Sequence, residues 1–139
     1  MCFVRTTTAI DAPHVERLLR ELDLDHPQLV MDNFWIAEEG GEVAGIAHLE
    51  RFGGSFYLSA VGVDEGHRGE GTARTLLERI IAEAHGPIYL YTIIPDFFRK
   101  FGFVPADPAP EIPPRSIYDC RQDCDPTKCR SMVRERHDS

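Results

Sequence analysis

Leu58-Ser59-Ala60-Val61-Gly62-Val63, then Asp64-Glu65, then Gly66-His67-Arg68-Gly69-Glu70-Gly71-Thr72-Ala73 is the stretch on which the reading of this chain turns. It passes from an apolar strand through a glycine-rich turn into a helix. At a helix start the first backbone N–H groups have no intrahelical acceptor, and the aligned peptide dipoles add partial positive charge there. Glycines and a small alanine let a bulky phosphate reach that backbone, so the segment reads as an anion cradle built from main chain. The rival reading, a flexible surface turn, does not account for glycines set between an apolar strand and a strong amphipathic helix.

Outward from this segment the elements follow in order. Upstream, Phe3 to Thr7 is a short opening strand. Asp11 is the expected N-cap of a helix carrying Val15, Leu18, Leu19 and Leu22 at helical spacing. Leu24 to Asp32, with Pro27 inside it, is a loop or a broken helix. Strands Phe34 to Glu38 and Glu42 to Arg51 are joined through Glu39-Gly40-Gly41, a hairpin signal. Phe56 to Val63, nearly all apolar or small, is expected to be buried on both faces. Downstream, Ala73, Leu76, Leu77, Ile80, Ile81 and Ala84 form one helical stripe. A strand over Ile88 to Thr92, a short helix over Pro95 to Lys100 and a strand from Phe103 come next. Pro105 to Pro114 is a rigid connector, unfit for a helix or an inner strand. Ile117-Tyr118 and Met132-Val133 are candidate closing strands. The order is β-α-β-β-β-α-β-α-β.

Composition limits the function classes. The chain has 139 residues, enough for one domain around a single core. A net charge of -8 argues against nucleic acid as the main partner, because phosphate neutralisation needs a basic surface. No apolar run approaches the ~20 residues of a membrane helix. Met1 to Thr6 lacks the features of a secretory signal, so the cytoplasm is the expected location.

Three phosphate motifs compete for the turn. A dinucleotide fingerprint G-x-G-x-x-G fails because Gly69 and Gly71 are followed by Arg74 where a third glycine is required. A P-loop fails because Thr72 and Ala73 stand where lysine and hydroxyl belong. What remains is R-x-x-G-x-A: Arg68, Gly71 and Ala73. This resembles the pyrophosphate-binding motif of the GNAT N-acetyltransferase superfamily. A second segment agrees, since Thr92 through Phe98-Arg99-Lys100-Phe101-Gly102-Phe103 is similar to that family's late helix and "GF" turn.

The resemblance implies one mixed α/β domain over residues 1–139, with 105–139 a proline-rich connector and cysteine-containing segment. It implies a central mixed, largely antiparallel sheet flanked by helices and splayed at the cofactor-binding strand. It further implies acetyl-CoA as co-substrate. Main chain of Val61 and Val63 would pair with the pantetheine arm, and Arg68, Gly69, Glu70, Gly71, Thr72 and Ala73 would hold the pyrophosphate. The amine attacks the thioester directly, which calls for a base and for an acid to protonate the thiolate. Many relatives carry a tyrosine as that acid; here the position is Phe98. Tyr91, Tyr89 and Tyr118 are the alternative acids, and His48 or Glu50 the candidate bases acting through water. The late segment is closer to the amino-acid-acetylating, N-acetylglutamate-synthase-like branch. A small amino-acid-like amine is then the expected partner, with Arg5, Arg51, Arg99 or Arg115 facing its carboxylate. A homodimer is compatible with this; a membrane or nucleic-acid partner is not expected.

Cys120, Cys124 and Cys129 are spaced C-x3-C-x4-C, looser than the usual paired ligands of structural zinc, with Cys2, His137 or an aspartate as a fourth ligand. They read as structural thiols, and no metal ligand is assigned. Two other functions stay open beside the enzyme: a non-catalytic acyl-CoA sensor, and a thiol-based metal or metalloid module on the same scaffold.

Overall fold

The computed structural model describes residues 2–26, 28–114 and 129–135. Strands β1 (Cys2–Thr6), β2 (Phe34–Glu39), β3 (Glu42–Phe52), β4 (Ser55–Val63), β5 (Ile88–Thr92), β6 (Val104–Pro105) and β7 (Arg130–Arg134) form one sheet in the order β1-β2-β3-β4-β5-β7-β6. Every neighbouring pair is antiparallel except β4 and β5. Helices α1 (Ala12–Glu21), α2 (Thr72–Glu83) and α3 (Pro95–Arg99) cover it. The expected mixed, largely antiparallel sheet flanked by helices is what the chain forms.

The two faces have separate cores. Leu76, Leu77 and Ile80 of α2 are fully buried against Ala37, Ala47, Leu58, Ile88 and Leu90, together with Phe98, Phe103 and Met132. Each such side chain removed from water contributes about 1.5–3 kcal/mol. On the opposite face Val15, Leu18 and Leu19 of α1 pack on Phe34, Ile36, Val43 and Ile46. Residues 43–48 of β3 are buried on both sides, as the doubled apolar pattern predicts.

Several expectations need correction. Asp11 stands at the N-cap position of α1, as expected, but its side chain makes no capping bond there. It closes a short turn, accepting from the Thr8 N–H at 2.7 Å and from the Thr8 hydroxyl at 3.0 Å. It also receives Arg5 at 2.8 and 3.0 Å. The guanidinium bonds first, and the Thr8 bonds after them, hold its carboxyl far below the usual range, against the opposing effect of burial. Met132-Val133 does lie in a short strand, as expected, but not at the sheet's edge: β7 sits between β5 and β6, with Met132 fully buried. Pro105 does enter a strand, the edge strand β6, where no further neighbour needs its missing N–H. Ile117-Tyr118 lies outside the described residues.

The largest correction concerns β4. Only Ser55, Tyr57 and Leu58 are buried; Ser59 to Val63 are half-buried. Two features cause this. The β3–β4 register slips between Ile46 and His48, and Ala60 takes a left-handed φ of 51°, so a bulge sits at Ser59–Val61. In addition β4 pairs with β5 only at Phe56↔Ile88 and Tyr57↔Tyr89, after which the two strands part.

Candidate active site

The parting of β4 from β5 leaves a cleft whose β4 wall carries free main-chain groups. The Asp64 N–H donates to Ala44 of β3 at 2.7 Å, so strand alternation turns the N–H and C=O of Val63 the other way. Two residues earlier the Val61 side chain joins the α2-side core.

At the C-terminal end of β4 the cleft meets the glycine turn. Gly71 stands before α2 with φ 78°, and Gly69 has φ 85°, both in the region that favours glycine. A Cβ on either would find no atom within 4 Å, so what these glycines keep open is space for something else. The first intrahelical bond runs from Thr75 N–H to Gly71 O, leaving the N–H groups of Thr72, Ala73 and Arg74 without an intrahelical acceptor. The Thr72 hydroxyl is buried and has no hydrogen-bond partner among the described residues. A cavity of about 270 Å³ opens here, lined by Val63, Gly69, Gly71 and Ala73 with the cations Arg68, Arg74 and Lys100. Phe97 and Phe101 of the late segment close its far wall. His67 lies at the rim, where bonds to Glu70 at 3.1 Å and Glu42 at 3.3 Å raise its pKa. The Glu70 side chain is spent on that contact, so Glu70 offers the cavity only main chain. Donor N–H groups, cations and a concave turn suit a phosphate-bearing anion.

The α1 side of the cleft carries the ionisable groups. His48 is 1% exposed, and its Nε2 accepts the Val30 N–H at 3.0 Å. The neutral ring therefore carries its proton on Nδ1, which has no hydrogen-bond partner among the described residues. Burial, then the charge of His26, pushes its pKa down to about 4 against the Val30 bond. A ring so buried, with its lone pair engaged, does not suit His48 to the base role expected of it. Glu50 lies two residues along the same face, opposite Tyr57, half-buried and with its pKa raised by burial. It is the better placed of the two.

Tyr91 packs on Tyr57 at 5.6 Å between ring centroids and donates its hydroxyl to Pro113 O at 2.7 Å. Its proton thus holds the proline connector down, helped by Ser55, whose hydroxyl donates to Glu111 at 2.6 Å. Burial raises the pKa of Tyr89, with the charges of Glu135 and Glu111 adding to it. Phe98 is buried between Phe97 and Phe103 in the α2-side core. Of the arginines, Arg5 is held by Asp11 and Glu38, Arg99 by Asp96, and Arg51 gives its Nε–H to Gly53 O. Cys129 is half-buried with a free thiol. Arg115, Tyr118, Cys120, Cys124 and His137 lie outside the described residues.

Sequence reasoning passed over two residues on this wall. His26, in the loop after α1, places Nε2 3.3 Å from the Ser59 hydroxyl beside the bulge. The one available signal was a polar Ser59 inside an otherwise apolar strand.

Comparison with known proteins agrees with this geometry. Residues 31–105 match the acetyltransferase (GNAT) domain model. The fold is similar to N-acetylglutamate synthase from Neisseria gonorrhoeae, solved with coenzyme A and N-acetyl-glutamate: TM-score 0.77, 21% identity, 99% of this chain and 36% of that one. It is also similar to Rv2747 from Mycobacterium tuberculosis, solved in complex with CoA: TM-score 0.75, 18% identity, 97% and 99% coverage. The ribosomal-protein-S18-alanine N-acetyltransferase from Escherichia coli aligns with TM-score 0.66 at 15% identity, covering 97% and 94%. The chain spans about a third of the length of the synthase it matches (36%). At these identities the structural likenesses speak for the fold; the domain match, over more than half of the chain, speaks for the family. Among the described residues no helix is long and apolar enough to cross a membrane. The chain belongs to the GNAT acetyltransferase family.

Proposed function

We propose that this chain is an N-acetyltransferase that moves the acetyl group to the amine of a small, amino-acid-like acceptor by direct attack on the thioester. The observation that carries the reading is the continuous path from the open half of β4 to the concave glycine turn at Gly69 and Gly71. On this reading Val61 and Val63 hold the pantetheine arm through main chain. Arg68, Gly69, Glu70, Gly71, Thr72 and Ala73 take the pyrophosphate through N–H groups, with the Arg68, Arg74 and Lys100 charges around them. Glu50 receives the ammonium proton through water; a carboxylate whose pKa burial raises is a better base than an exposed one. A small acceptor in the cytoplasm, a single domain over residues 1–139 and an optional homodimer belong to the same proposal.

The experiment is thiol release from acetyl-CoA against a panel of free amino acids, with polyamines and an N-terminal peptide as contrast. Turnover that is fastest with one or a few free amino acids is the expected result. Turnover confined to the peptide refutes the acceptor class.

One observation favours a second reading. Phe98 carries no hydroxyl and the Tyr91 proton is engaged with Pro113 O, so neither supplies a proton to the thiolate. A non-catalytic acyl-CoA sensor needs none. Saturable acetyl-CoA binding without thiol release on any amine would select the sensor.

A further inference from the structure

The bulge turns two consecutive residues of β4 to the α1 side: Ala60 packs with the α1-side core, and Ser59 meets His26 at 3.3 Å. Ser59 lies beyond the last pairing of β4 with β5, directly before the left-handed Ala60, where the cleft begins. His26 is fixed from its other end, since its Nδ1 accepts the Gln28 backbone N–H at 3.2 Å. A neutral imidazole accepts at one nitrogen and donates at the other. The His26 proton is therefore on Nε2, directed at the Ser59 oxygen. This geometry reverses the familiar serine–histidine pair: His26 has no lone pair facing Ser59 with which to remove its proton. Ser59 accepts from the ring and keeps its own O–H to donate. Hydroxyls that accept one hydrogen bond donate a stronger one. The ring stays neutral near pH 7, because burial lowers its pKa and the Asp25 charge only partly opposes this. His48 also faces the ring, at 6.3 Å between centroids.

We propose that Ser59 is a catalytic hydroxyl that donates to the thioester carbonyl oxygen as negative charge builds there, and that His26 is the positioning residue that orients it. The inference rests on the acetyl-transfer reading above. In the step, the amine nitrogen bonds to the carbonyl carbon and the carbonyl π pair moves onto oxygen, where Ser59 stabilises it. Return of that pair breaks the C–S bond, and the sulfur leaves as thiolate. Of the two N–H protons on the attacking amine, one stays in the amide; the other balances the proton that the thiolate takes up. Ser59 gives up no proton in this cycle, so it needs no shifted pKa.

The test combines kinetics with a readout free of turnover. Ser59→Ala should lower kcat about a hundredfold with little change in KM for acetyl-CoA, in line with loss of one oxyanion donor. Ser59→Thr keeps the hydroxyl and should recover most of that loss. His26→Ala should fall with Ser59→Ala. His26→Gln, whose amide can both accept from Gln28 and donate to Ser59, should recover most of what His26→Ala loses, with an unshifted pH–rate profile. Nitrogen-15 shifts of the His26 ring in the ligand-free protein should show Nε2 protonated. An active enzyme with wild-type kcat in Ser59→Ala, a His26→Gln variant that loses the acidic limb of the profile, or a proton on Nδ1 would each overturn the assignment. A wild-type protein that acetylates no amine would refute the proposed function and this role with it. Wild-type turnover that survives Ser59→Ala refutes only the role of Ser59.

Discussion

The two halves of β4 have much the same kind of sequence and opposite fates. Ser55 to Leu58 has neighbours on both edges, and Tyr57 and Leu58 are buried. Ser59 to Val63 is as small and apolar, yet it has one neighbour, a bulge and half-buried side chains. Burial potential that the fold leaves unused on an inner strand is potential for a ligand. The first half supplies stability; the second supplies an edge that no described strand pairs, leading to the glycine turn. The paired half should therefore respond to substitution through stability, and the open half through binding.

The largest expected effect is in the paired half. Leu58→Ala empties a site in the α2-side core and should cost about 3–4 kcal/mol of unfolding free energy by denaturant titration. The matching truncation in the open half, Val61→Ala, should cost about 1 kcal/mol or less, because Val61 is only partly buried. Equal losses would erase the distinction between the halves.

The next effect is set by pH. His48 has a folded pKa near 4, below its ordinary 6.5, so between those values the unfolded chain binds more protons than the folded one. Stability is thus full above about pH 6.5 and lost as pH falls toward 4, by an amount on the order of 3 kcal/mol. His26, also lowered, acts in the same direction. His48→Gln should flatten that slope in thermal denaturation from pH 7 to pH 4; an unchanged slope would mean that His48 is not held neutral.

In the open half, Gly71→Val places a β-branched residue at φ 78° and fills the cradle. Acetyl-CoA affinity should drop at least about a hundredfold, or roughly 2.7 kcal/mol, while the fold persists. Calorimetry on the folded variant checks this, and unchanged affinity would remove the turn from the site.

Tyr91→Phe should give the smallest change. It removes one hydrogen bond to the proline connector, worth about 1 kcal/mol, and leaves the pH–rate profile alone. A basic limb that disappears would make Tyr91 the acid after all.

How much of this was legible in the chain follows from the range of the interactions. The glycine turn, the α2 stripe and the β5 strand depend on local spacing, and each formed where residue periodicity predicts it. The bulge was not legible, because Ala60 carries no sign that it will adopt a left-handed backbone. Nor was the His26–Ser59 meeting, which joins residues 33 apart through a loop without periodicity. Asp11 was placed correctly at the start of α1, but its side-chain role was not legible: its partner Arg5 belongs to another element, and that charged partner takes the carboxylate a helix cap would use. His48 looked like a reactive base in sequence; only its burial and the Val30 bond reveal a spent lone pair.

The most direct test of the central claim is amide hydrogen exchange, residue by residue, with and without saturating acetyl-CoA. Protection should rise at Val61, Val63 and the turn from Gly69 to Ala73, and stay unchanged at Tyr57 and Leu58. Protection confined to other segments, or equal along the whole of β4, would contradict the assignment of its open half to the co-substrate.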